Sequence, residues 1–179
     1  MSGDIYSVGF DLYVKLLDDA VKRLEDSSYE AETETLMELE YSGFIPDSYI
    51  ESPQRKMEIY KMIAAVREKD ELDRVYGELT DRFGPLPDEA ASLLALAEIR
   101  IICRELSVSS IREKGGIVRV EFAKVARIKV NTLVRMMQES RGRIKIDAKK
   151  PNVLLLSAGN IGLKEKSEYI REKLSVLKA

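Results

Sequence analysis

A chain of 179 residues, 45% hydrophobic and 34% charged, can bury a core without disulfide or metal staples, and this composition excludes a disordered tract. It holds no histidine and one cysteine, which excludes Ser-His-Asp and Cys-His nucleophile systems and the usual zinc sites. The net charge of −2 hides a polarised chain: residues 1–111 carry 12 basic and 24 acidic side chains, residues 112–150 carry 12 and 4, and residues 151–179 carry 5 and 3.

Such asymmetry fits two faces with different partners, and it fits a simple need for solubility equally well. Neither G-x-x-x-x-G-K-[ST] nor G-x-G-x-x-G occurs, so no phosphate-cradling loop is expected. Apolar runs such as Leu93 to Ala97 are too short to cross a bilayer, and no secretory signal follows Met1. Cys103, in an apolar helical context, reads as a packed thiol of a reducing compartment, so the cytoplasm is the expected location. Paired carboxylates such as Asp18 and Asp19 read as a solvated helix face, because helical neighbours point in different directions.

Taken in chain order, the first element is a helix from about Phe10 to Glu25, with Phe10, Tyr13, Leu16, Leu17, Ala20, Val21 and Leu24 on one apolar face. Thr35, Met37, Leu39 and Tyr41 alternate with Leu36, Glu38 and Glu40 and predict a strand with one wet face. A turn-rich connection containing Ile45-Pro46-Asp47 leads to Ser52-Pro53, an N-cap followed by proline at the first helical position. That helix is expected to bury Met57, Ile59, Tyr60, Ile63 and Val66. Asp70 is the expected cap of the next helix, whose stripe is Leu72, Val75, Tyr76, Leu79 and Phe83. Gly84 stops it and Pro85 forbids continuation. Pro87 opens a longer helix carrying Ala90, Leu93, Leu94, Ala97, Ile101 and Leu106.

After Leu106 the character changes. Val108 to Lys114 and Ile117 to Phe122 flank Gly115-Gly116, a hairpin signal. Asn131 is the expected cap of a helix stopped by Gly142. Arg143 to Asp147 and Val153 to Ser157 read as short strands, and a last helix runs from about Leu163 to Leu177. The fold class is α+β: an N-terminal helix and edge strand, a cluster of three consecutive helices, then a small mixed β-sheet with flanking helices. A single regulatory domain over 1–179 is expected, with a mostly helical acidic lobe at 1–106 and a basic mixed lobe at 107–179.

Glu78, Asp81 and Arg82 stand at i, i+3 and i+4 and share an exposed helix face. By spacing alone this is a helix end with Glu78 and Arg82 paired, worth roughly 0.2–0.5 kcal/mol, or a docking surface. A second candidate surface is the basic stretch from Arg112 to Lys150, where Arg119, Lys124, Arg127, Lys129, Arg141, Arg143, Lys145, Lys149 and Lys150 are candidate phosphate contacts for DNA. Phe122 is its one aromatic side chain, which argues against a base-stacking platform.

Several segments together resemble a known family. Gly3-Asp4-Ile5, Val8-Gly9-Phe10-Asp11-Leu12-Tyr13, Ile45-Pro46-Asp47-Ser48-Tyr49-Ile50, Arg55 with Tyr60, and Glu78-Leu79 with Asp81-Arg82-Phe83-Gly84 and Leu86-Pro87 occur in one order and spacing. The chain resembles the C-terminal domain of the bacterial transcription-repair coupling factor, Mfd, from about Gly3 to the end. Asp4 stands where that family often has histidine, and Thr80 where it often has an aliphatic residue. The resemblance implies a non-catalytic fragment of an ATP-driven DNA translocase. The motor binding ATP and Mg would then lie upstream, this segment would hold no cofactor, and Met1 would begin an expressed fragment. It further implies a regulatory domain that docks through Glu78, Asp81 and Arg82 on an N-terminal UvrB-like module of the same protein. That contact would mask the UvrA-binding surface and restrain the motor until RNA polymerase engages. Partners would therefore be that module, and indirectly UvrA, RNA polymerase and DNA, with no membrane.

Overall fold

The computed structural model describes residues 34–40, 43–124, 128–159, 161 and 163–178. The helix expected over Phe10 to Glu25 and the motifs from Gly3 to Tyr13 lie outside the described residues. In chain order the elements are β1 (Leu36–Glu38), α1 (Pro53–Ala65), α2 (Lys69–Phe83), α3 (Asp88–Glu105), β2 (Val108–Lys114), β3 (Ile117–Phe122), α4 (Val130–Glu139), β4 (Ile144–Ile146), β5 (Val153–Ser157) and α5 (Leu163–Ser175). This is the expected α+β class, with β1 at the edge of a five-stranded mixed sheet of order β1-β2-β3-β5-β4.

The chain divides into two compact units. Of the described residues, one gathers 34–40, 103–159 and 172–178, and the other 43–102 and 161–171. This grouping departs from a division in chain order at residue 106. The physical reason is strand pairing: β1 lies parallel to β2, with Met37 opposite Ile111. A parallel pair needs a long crossover, and here the three helices α1 to α3 occupy it.

In the sheet unit, Gly115 and Gly116 take φ of 60° and 78°, conformations open to glycine, and they turn β2 into the antiparallel β3. β3 pairs with β5, and β5 with β4, both antiparallel. Alternation then sorts the side chains. Ile111, Val118, Val120, Ile144, Leu154 and Leu156 are buried, while Arg112, Lys114, Ile117, Arg119 and Lys145 on the intervening positions are exposed.

The helical unit is built on Ile59 and Ile63 of α1, Leu72, Val75 and Leu79 of α2, and Leu94, Ala97 and Ile101 of α3, with Ile45 and Ile50 from the preceding turn. The Ser52 Oγ accepts from the Arg55 N–H at 3.4 Å, with Pro53 at the helix start, as the sequence predicts. Burial of this face leaves some expected core residues outside. Met57 is 57% exposed, because it lies two residues, about 200° of helical rotation, from Ile59. Tyr76 flanks the α2 stripe and is 53% exposed, and Phe83 is half-buried. The capping expectations also shift. Glu68 is the N-cap of α2, leaving Asp70 in the first turn, where its charge suits the helix dipole. Lys129 is the N-cap of α4, so Asn131 lies inside the helix.

The end of α2 is fixed with particular care. Gly84 has φ of 87° and its N–H reaches the Thr80 carbonyl at 3.0 Å. The Tyr49 hydroxyl lies 3.0 Å from the Leu79 carbonyl and 2.8 Å from the Gly84 carbonyl, so one donor ties the last turn of α2 to the residue that leaves it. The Tyr49 ring packs on Phe83 with centroids 5.8 Å apart. Burial, with the neighbouring Tyr76, raises the Tyr49 pKa above its ordinary value, so the hydroxyl keeps its proton and remains a donor well into alkaline solution.

Two outcomes follow from these contacts. A Cβ on Gly43 would stand 2.3 Å from both the Cα and the N of Leu93, so Gly43→Ala forces the turn off α3. A loss of about 1–3 kcal/mol is expected, as for overpacked sites, and calorimetry should record a Tm several degrees lower. Tyr49→Phe keeps the ring and removes the hydroxyl, for an expected cost of about 0.5–1.5 kcal/mol. Amide exchange in the last turn of α2 should accelerate, and unchanged protection there would show that the hydroxyl contributes nothing to this end.

Candidate docking surface

The apolar stripe of α2 determines what the helix shows to solvent. With Leu72, Val75 and Leu79 buried, the adjoining flank presents Glu78, Asp81 and Arg82, all exposed. The structure thus brings the three expected residues onto one face. Arg82 Nη1 lies 3.2 Å from Glu78 Oε1, with the side chains 45% and 44% exposed. Such a pair contributes only a few tenths of a kcal/mol because water and salt screen it. The Arg82 guanidinium also stands over the Phe83 ring, 5.1 Å from its centroid, and Phe83 is held by Tyr49. The side chain is therefore positioned from two directions. Asp81 takes no ion pair among the described residues, so the face offers one oriented cation and one uncommitted carboxylate.

The Tyr49 contribution is not legible in the sequence. Its ring reaches the helix end across an intervening helix, and spacing along the chain carries no signal for it.

A cavity of about 320 Å³ in the same unit is lined by Leu72, Tyr76, Leu86 and Leu94, with Lys69 and Arg171 at its rim. Glu98 joins those two cations, at 3.4 Å from Lys69 Nζ and 3.3 Å from Arg171 Nη1. Burial acts to lower the Lys69 pKa, but hydrogen bonds and charge from Asp73 and Glu98 outweigh it and the net shift is upward. The rim charges are thus satisfied within the protein.

The candidate phosphate contacts do not converge. Arg127 lies outside the described residues. Lys129 is the exposed N-cap of α4, its backbone N–H donating to the Leu177 carbonyl at 2.9 Å. Arg143 and Lys145 do share a face, the open face of the sheet, and Arg119 joins them there. Arg119 is engaged with Asp147 at 3.2 Å. The Lys149 backbone N–H, with help from Arg119, holds the Asp147 carboxyl below its usual range.

Among the described residues no three metal-ligating side chains cluster, and no helix is long and apolar enough to cross a membrane. Cys103 is fully buried, and burial pushes its thiol up to about 12, which makes it a packed side chain without nucleophilic character.

Residues 39–133, over half of the chain, match the family model described as the TRCF domain. The chain is 31% identical to the transcription-repair-coupling factor of Borreliella burgdorferi over 98% of its length. It is 37% identical to that of Haemophilus influenzae over 77% and 33% identical to that of Escherichia coli over 82%. It spans only 16%, 12% and 13% of those three relatives. In fold it is similar to a crystal structure of the C-terminal domain of transcription-repair coupling factor, with a TM-score of 0.68 at 23% identity, covering 84% of this chain and 98% of that one. On the family match and the near-complete alignment to its relatives, the chain belongs to the transcription-repair-coupling factor family.

Proposed function

We propose that this chain is a regulatory docking domain of a transcription-repair coupling factor, acting by contact and carrying no chemistry of its own. Through Glu78, Asp81 and Arg82 it docks on an N-terminal UvrB-like module of the same protein. The docked state masks the surface that UvrA would bind and restrains the ATP-driven DNA translocase until RNA polymerase is engaged. ATP and Mg are the business of the upstream motor, and the setting is the cytoplasm. The observation that carries the reading is the exposed trio on a helix whose rotation and end are both fixed, within a chain of this family. A polar contact of this kind sets orientation and partner choice more than affinity, and it releases more readily than a large apolar interface does.

The direct test is calorimetric titration of this chain with the UvrB-like module at two salt concentrations. Binding should weaken as salt rises, and the Glu78→Lys/Asp81→Lys/Arg82→Glu variant should bind at least about tenfold more weakly while melting like the parent. An unchanged affinity in that variant would sink the assignment of the face. In the intact protein, deleting this segment should raise both ATPase activity and UvrA binding. Parental levels of both would refute autoinhibition.

A further inference from the structure

The open face of the sheet carries a second pattern that the docking reading does not use. Strand register places Glu38, Arg112, Arg119, Leu155 and Lys145 in one row across all five strands. The next row toward the hairpin holds Lys114, Ile117 and Ser157. Arg143 ends it, through the Ser157 N–H donating to the Arg143 carbonyl at 2.8 Å. Within the first row the charges are largely settled at home: Arg112 pairs with Glu38 at 3.4 Å, and Arg119 with Asp147 at 3.2 Å.

The remaining cations of the two rows differ. Lys114, Arg143 and Lys145 are exposed, and none takes an ion pair among the described residues. Between them lie Ile117, 45% exposed, and the half-buried Leu155. Lys114 and Arg143 are separated by three strand steps, about 14 Å at the usual inter-strand spacing. An apolar centre is thus flanked on both sides by cations that nothing in the sheet neutralises.

We infer that this face is an interaction surface for an acidic polypeptide segment bearing a large apolar side chain. The apolar side chain covers Ile117 and Leu155, and its flanking carboxylates meet Lys114 on one side and Arg143 with Lys145 on the other. Charge complementarity selects that occupant over a nucleic acid. A phosphate backbone gains from an unbroken run of cations, whereas Glu121 and Asp147 interrupt this one. Among the described residues the face presents no aromatic ring for a base to stack on, since Phe122 is buried. Burying an exposed isoleucine rewards an apolar partner and does nothing for a phosphodiester.

The test uses the whole 179-residue chain and fluorescence anisotropy with three labelled probes. These are a short peptide of Glu and Asp with two leucines, the same peptide with serine for leucine, and a short DNA duplex. The leucine-bearing acidic peptide should bind most tightly, and more weakly as salt rises. Lys114→Glu/Arg143→Glu/Lys145→Glu should weaken it at least about tenfold. Ile117→Ser, which leaves every charge in place, should remove most of the preference for leucine over serine. The Glu78, Asp81 and Arg82 variant should bind the peptide like the parent, which separates this surface from the docking face. The inference is overturned by no anisotropy change at about 1 mM peptide, by unchanged affinity in the charge variant, or by tighter binding of duplex DNA that the same variant abolishes.

Discussion

Everything proposed for α2 depends on the rotational setting of one helix. Leu72, Val75 and Leu79 are buried at 4%, 5% and 2% exposure. Turning the helix to bring Glu78 inward would drive Leu79 into water and a carboxylate into the core, costing several kcal/mol in total. Axial position is fixed separately. Tyr49 closes the last turn through its hydroxyl, Gly84 leaves the helix in a left-handed conformation, and the Phe83 ring gives Arg82 a platform. A surface built only from weak, exposed charges still has a defined geometry, because the groups beneath it are strongly held.

The same logic operates in the sheet unit with a different period. Two-residue alternation places apolar side chains on one side, where they are buried, and sends Arg112, Lys114, Arg119 and Lys145 to the other. No single strand makes the basic face. It results from register, since a one-residue slip of β4 against β5 would send Lys145 into the core and Ile146 out. Burial of Ile144 and Ile146, at 2% and 8% exposure, enforces the register and hence the placement of the cations.

These two origins explain what was legible in the sequence. The helix start at Ser52-Pro53, the helix stop at Gly84 and the hairpin at Gly115-Gly116 are legible because they rest on local chemistry. The trio on α2 was legible for the same reason, since helical spacing alone sets which residues share a face. Asp70 and Asn131 misled because a capping residue type is only a local preference, and chain geometry started each helix earlier. Met57 and Tyr76 misled because an apolar residue near a stripe need not be in it. The parallel pairing of β1 with β2 was out of reach, as alternation names the faces of a strand and says nothing about its neighbour. The meeting of Lys114 with Arg143 was hidden likewise, because it depends on two strand registers.

On the proposed reading, the weakness of the α2 contacts is an advantage for an intramolecular clamp. An exposed trio contributes little energy, so two separate molecules would associate only weakly through it, with a Kd on the order of 0.1 mM. Within one chain the partner is always near, at an effective concentration that reaches the millimolar range for a short flexible connection. A contact with a Kd about tenfold below that concentration is then closed about nine-tenths of the time, yet only about 1.4 kcal/mol holds it. On that same reading, a partner engaged elsewhere on the protein needs to supply no more than that to shift the population toward the open form. A stronger, apolar face would make the closed state permanent, and a face without orienting charges would close onto the wrong surface. The combination of a rigid helix and weak polar contacts meets both demands.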